Sequence, residues 1–164
     1  MSSIEFSAPW GKLLWAFTVM GCLIFSSFIG AILIDGSAPN SLKATLIGIG
    51  VFIFGFCALG AVRGYRIEQD AVVVRRLLWE TRISLNGLDS VEHDEDLIKG
   101  ALRIGNGGIF VFSGWFWSRR LGWFRLYGND ILGRAVIFSV NGKSWMVTPG
   151  QPLTFVEELK KKIG

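Results

Sequence analysis

Two stretches without a single charged residue govern what this chain can become. Residues 13–34 give 22 uncharged positions in succession and residues 45–62 give 18. At about 1.5 Å of rise per helical residue they reach roughly 33 Å and 27 Å, close to the ~30 Å hydrocarbon core of a bilayer. A helix packed in a soluble core rarely stays uncharged for so long, because one of its faces meets water. The two stretches are therefore expected to form a transmembrane hairpin, with everything after Val62 held against the membrane. A cleaved leader is the poorer reading. The first stretch exceeds the usual ~7–15 residue apolar region, Lys12 alone is a weak basic lead, and Pro39 follows the small residues 36–38.

The remaining 102 of the 164 residues divide sharply from the first 62. Only Glu5, Lys12, Asp35 and Lys43 carry charge before Arg63, leaving 15 basic and 11 acidic residues for 63–164. The expected organisation is a lead over 1–12, a two-helix hairpin over 13–62 and one small water-soluble domain over 63–164. A mixed net charge of +4 suits anionic lipid headgroups and is too weak for nucleic acid. Lys12 precedes the first helix and Arg63 and Arg66 follow the second, while Lys43 in the intervening loop is balanced by Asp35. The bias of basic residues toward the cytoplasm then puts both termini inside the cell, in a multi-pass inner-membrane protein. The second apolar stretch is rich in glycine. Gly48, Gly55 and Gly60, with small-xxx-small spacing at 44–48 and 60–64, are candidate helix-packing positions, against the first helix, a second copy or a partner helix.

From Tyr65 the hydrophobic period changes to two. Short strands are predicted at 65–68, 72–76, 81–84, 89–94, 123–127, 135–140 and 144–148, and Asn141-Gly142 is a strong hairpin turn. Pro152 fits a first helical position. Leu153, Val156, Leu159 and Ile163 follow at helical spacing, with Glu157–Lys161 and Glu158–Lys162 as i,i+4 pairs.

Several segments then resemble the bacterial pleckstrin-homology-like (PH) domain family. These are Tyr65-Arg66-Ile67, Val73-Val74-Arg75-Arg76, Arg82-Ile83-Ser84-Leu85 (Ser84 standing where the family has proline) and the glycine-rich aromatic stretch 105–124. The ending Val147-Thr148-Pro149-Gly150-Gln151-Pro152, followed by Phe155-Val156-Glu157, resembles the family's strand-to-helix closure. The resemblance implies a mainly-β domain of about seven antiparallel strands in two sheets with a C-terminal capping helix. It also implies a binding or scaffolding module rather than an enzyme. No basic phosphoinositide motif stands in the first hairpin, so lipid recognition does not carry across residue by residue.

The most unusual soluble stretch is 103–123. Phe110, Phe112, Trp115, Phe116, Trp117 and Trp123 crowd among glycines, beside Arg119 and Arg120. The glycines suggest a long loop. Tryptophan favours the headgroup layer and arginine pairs with lipid phosphate, so these eight residues are the candidate contact with lipid or with a membrane protein partner. Closure over the domain's own barrel is the third possibility. The run 92–96 gathers four carboxylates around His93, yet a strand turns neighbouring side chains to opposite faces, so no metal is expected. Cys22 and Cys57 lie in the apolar stretches. No nucleophile motif, phosphate-binding loop or dinucleotide fingerprint is present, so neither catalysis nor a cofactor is expected. The leading expectation is a membrane-anchored binding or scaffolding module on the cytoplasmic face. Its rival is an accessory subunit assembled through the glycine-rich second helix.

Overall fold

The computed structural model describes residues 3–94 and 102–163. The uncharged stretches are helical, as α1 (Lys12–Ile34) and α2 (Asn40–Leu59), joined by a turn at 35–39. Both are long and apolar enough to cross a membrane. Only Leu14 and Thr18 of α1 are buried, and no residue of α2 is. Leu23, Ile24, Phe52 and Ile53 all stand exposed, so neither helix is buried within the chain as a core helix would be. The helices touch through Phe25 and Phe54, stacked at 4.7 Å. The contact glycine is Gly50, where a Cβ would lie 2.7 Å from the Phe25 ring; Gly48 and Gly55 face open space. Gly60 caps α2, and Gly64 lies in the strand beyond it.

The helical hairpin interrupts a β-ladder. β1 (Ile4–Ser7) lies before α1 and pairs antiparallel with β2 (Gly64–Ile67), which follows α2. Gly64 opposes Ser7 where the ladder meets the helices, and a Cβ there would lie 2.7 Å from the Phe6 carbonyl oxygen. β3 (Ala71–Arg75) and β4 (Glu80–Ser84) complete a four-stranded sheet in the order β1-β2-β3-β4. The second sheet contains β5 (Leu88–His93), β6 (Leu102–Gly107), β7 (Phe112–Ser118), β8 (Gly122–Gly128), β9 (Val136–Val140) and β10 (Lys143–Val147). Its order is β5-β9-β10-β8-β7-β6, with β10 parallel to β8.

The two-sheet, helix-capped architecture matches the sequence expectation, with more strands than the seven predicted. Residues 103–123 are not a loop. They form most of β6 and β7 with tight turns on either side, because glycine is interleaved with β-formers that alternate in period two.

Each face of the six-stranded sheet has its own core. One face packs Val136, Phe138, Val140 and Val147 against Tyr65, Val72, Val74 and Ile83 of the other sheet. Helix α3 (Pro152–Lys160) closes that core with Phe155, Val156 and Leu159, while Leu153 and Ile163, expected on its apolar stripe, are exposed. The other face carries Phe112, Phe116, Phe124, Leu126, Ile137 and Met146. It is covered by Leu14, with Trp10, Leu13 and Phe17 alongside. The first turns of α1 are thus core to the β-domain.

Leu14→Ala is expected to lower the stability of the detergent-solubilised full chain by about 2–5 kcal/mol, whereas Leu23→Ala on the same helix leaves it nearly unchanged. Thermal unfolding followed by tryptophan fluorescence separates the two.

Candidate functional site

Three arrangements tie the helices to the β-domain and lead toward the exposed aromatic face of Trp115, Trp117 and Trp123. The first is a clasp. Asn129, fully buried just after β8, donates from Nδ2 to the carbonyls of Ala8 (2.8 Å) and Val62 (2.7 Å). Those carbonyls belong to the segments leading into α1 and out of α2. The Asn129 carbonyl in turn accepts from the Gly11 N–H at 3.1 Å. Behind it, Thr148 Oγ1 accepts from the Asn129 and Asp130 N–H groups, and Tyr65 donates its hydroxyl to the Tyr127 carbonyl at 2.8 Å. The Thr148 N–H donates back to the Tyr65 oxygen. Burial pushes the Tyr65 phenol up to about 12, against the pull of its bonds with Thr148.

The second is a wedge. The turn between β6 and β7 reaches up between the helices. Thr18 Oγ1 accepts from the Phe110 N–H (3.0 Å) and donates to the Gly108 carbonyl (3.3 Å). Gly108 has φ +121°, and a Cβ there would strike Phe17 and Phe112. Phe110 takes φ +64°, a left-handed conformation that costs a non-glycine residue of order 1 kcal/mol. Thr18 and ring contacts with Phe54 and Trp10 hold it there.

The third is a ladder of rings and guanidinium groups. Phe56 of α2 stacks on Trp79. Arg76 lies over Trp79 (5.5 Å) and Tyr127 (4.8 Å), and Arg125 lies over Tyr127 and Trp115, each at 5.4 Å. Each such contact contributes about 0.5–2 kcal/mol, more where water is excluded. Alongside runs a groove of about 430 Å³ lined by Thr81, Arg82, Ile83, Ser84, Arg125 and Trp145, among others. Four consecutive residues of one strand can line a single hollow only along the strand's edge, since their side chains alternate in direction. Among the described residues β4 pairs only with β3, so that edge presents backbone groups without a strand partner there.

The contact residues expected from sequence separate by parity. Phe112 and Phe116 are fully buried against α1, so they cannot meet lipid or a partner. Phe110 is half-buried in the wedge. Trp115, Trp117 and Trp123 stand exposed on the opposite face of the sheet, with Trp117 paired across strands to Trp123 and Trp115 to Arg125. Arg119 and Arg120 are exposed at the β7–β8 turn, and Arg120 forms ion pairs with Glu92 and Asp94. That pairing explains part of the acidic run. His93 Nδ1 bonds the Ala135 carbonyl, Glu95 and Asp96 lie outside the described residues, and no metal-binding cluster occurs among the described residues. The aromatic face was legible as an excess of tryptophan. Asn129 and the β4 edge carried no local signal.

The family whose model matches the chain is described as Bacterial PH domain, over residues 63–163, more than half of the chain. No curated protein and no solved structure matches. The matched span begins where β2 is about to pair with β1, so β1 and the helices lie outside it.

Below pH 10 the phenol of Tyr65 is neutral in both folded and unfolded chains. Between pH 10 and about 12 the unfolded chain releases a proton that the buried phenol retains, so stability falls as pH rises through that window. Tyr65→Phe is expected to flatten this alkaline fall. At neutral pH it costs about 1–2 kcal/mol through the Thr148 N–H left unpaired. Denaturant unfolding across the pH range tests both effects.

Proposed function

The chain belongs to the bacterial PH domain family, and on that footing we propose that it is a non-enzymatic binding module. Its two apolar helices anchor it in the cytoplasmic membrane, with the β-domain on the cytoplasmic face. The outward apolar side chains of α1 and α2 support the anchor. The pairing of β1 with β2 keeps both flanks of the hairpin together, and Lys12, Arg63 and Arg66 at those flanks favour the cytoplasmic side.

The ligand is a segment of a membrane protein partner, taken by the exposed face of Trp115, Trp117 and Trp123 together with Arg125. The observation that carries this reading is the edge of β4, which has no strand partner among the described residues and runs beside that face. An extended segment can add to such an edge through main-chain hydrogen bonds while its side chains enter the aromatic groove. Arg125 and Lys143 in the lining favour acidic side chains on the partner. Lipid is the weaker ligand for this face. Trp117 lies five residues along β7 from Phe112, roughly 17 Å farther from the wedge at strand rise. Tethering raises the local concentration of the module at the bilayer, so modest contacts suffice. A second reading, an accessory subunit assembled within the membrane, is favoured by Gly48 and Gly55, whose open positions leave α2 free to meet another helix.

The test is affinity purification of the tagged full chain from native membranes, comparing the unaltered protein with Trp115→Ser/Arg125→Glu. At least about a tenfold loss of a co-purifying membrane protein is expected, as for hot-spot anchors, with unfolding temperature preserved. An unchanged set of partners would sink the proposal, and its collapse only on Gly48→Leu/Gly55→Leu would favour the second reading.

A further inference from the structure

Hairpin tips on soluble domains are ordinarily polar. The turn between β3 and β4 is Leu77-Leu78-Trp79, and the three are 47%, 69% and 38% exposed. The tip lies beside the last turns of α2. The Trp79 ring stacks at 6.3 Å on Phe56, itself exposed and within the apolar helix Asn40–Leu59. Leu77 lines a hollow with Ala58, Ala61, Val62 and Arg63. The apolar surface of α2 therefore continues without a break onto the tip.

The basic groups at this end sit as a lipid interface requires. Arg76 folds over Trp79 and bonds Thr81 Oγ1 at 2.9 Å, keeping its guanidinium beside the apolar tip, and Arg63 is exposed next to Leu77. The opposite end of the same sheet differs in character. There the turn 68–70 carries Glu68 and Asp70, both ion-paired to Arg82. The turn toward the helices is thus apolar at its tip, with Arg75 and Glu80 paired at its base, whereas the turn at the far end is charged.

We infer that the β3–β4 tip is a lipid-inserting loop. Leu78 and Trp79 enter the headgroup–acyl boundary of the leaflet that α2 leaves, with Arg63 and Arg76 at the level of the phosphates. The occupant is bilayer lipid, because the patch is continuous with the surface of a helix that meets acyl chains. Tryptophan and arginine together suit that boundary, where a ring can lie in the apolar layer and a charged head can stay with water and phosphate. The inference rests on the reading that α2 crosses a membrane.

The experiment uses the full chain with Cys22→Ala and Cys57→Ala, carrying one new cysteine at a time: Leu78→Cys at the tip, Phe52→Cys on α2 and Ser84→Cys at the far end of β4. Each is labelled with an environment-sensitive fluorophore and reconstituted into vesicles of phosphatidylethanolamine and phosphatidylglycerol. Two quenchers are compared, a phospholipid bearing a nitroxide near the headgroup and aqueous iodide. Blue-shifted emission at 78 is expected, with nitroxide quenching at least about twofold that at 84 and weak iodide quenching, the signature of an interfacial position. Strong iodide quenching at 78 with lipid quenching at 52 intact overturns the inference alone. So does a tip that neither quencher reaches, which would mean a protein cover. Loss of lipid quenching at 52 overturns the membrane reading beneath it.

Discussion

A buried amide holds the two ends of the helical hairpin to one point. Asn129 bonds Ala8 and Val62 at once, so the chain leading into α1 and the chain leaving α2 cannot separate without leaving polar groups unpaired in a dry interior. Such a group, once orphaned, costs about 1–3 kcal/mol, more than an average hydrogen bond contributes when made. The β1–β2 ladder closes immediately below the clasp and the Thr18 wedge immediately above it. Three short-range devices therefore surround one junction.

Anchor and domain share a core as a result. The aromatic face built by Phe112, Phe116 and Phe124 is covered in part by Ile131 and Leu121 and in part from outside residues 63–163, by Leu14 with Trp10, Leu13 and Phe17 alongside. A helix usually regarded as a tether is here, in its first turns, a packing element. This also explains the burial of alternate residues in β7. One parity faces α1 and is consumed by the core, and the other, with Trp115 and Trp117, stands exposed on the opposite face.

Much of this was legible in the sequence where the cause is local. The helices follow from uncharged length alone, and β2 to β4 and β8 to β10 from alternation bounded by turns. β1 was not legible, because four residues give too short a period and the partner strand stands some 60 positions away. The stretch 103–123 misleads by composition, since glycine argues for a loop. Its segment Phe112-Ser113-Gly114-Trp115-Phe116-Trp117 nonetheless alternates in a way that could have separated buried phenylalanines from exposed tryptophans. In α3 the apolar stripe is narrower than helical spacing suggested, because Phe155 takes the central place. Asn129 and the β4 edge owe their roles to neighbours distant in sequence, which no local pattern encodes. The run at 77–79 falls between the predicted strands 72–76 and 81–84 and takes its meaning only from its place beside α2.

The claim that the hairpin crosses the membrane while its two flanks are zipped together is tested most directly by sidedness. In sealed, oriented vesicles, single cysteines introduced as Ser3→Cys, Ser84→Cys and Ser37→Cys in the chain without Cys22 and Cys57 are offered a membrane-impermeant maleimide. Positions 3 and 84 are expected to label from the same side, and position 37, in the turn between the helices, only from the other. Labelling of 3 and 84 from opposite sides, or of all three from one side, would contradict it.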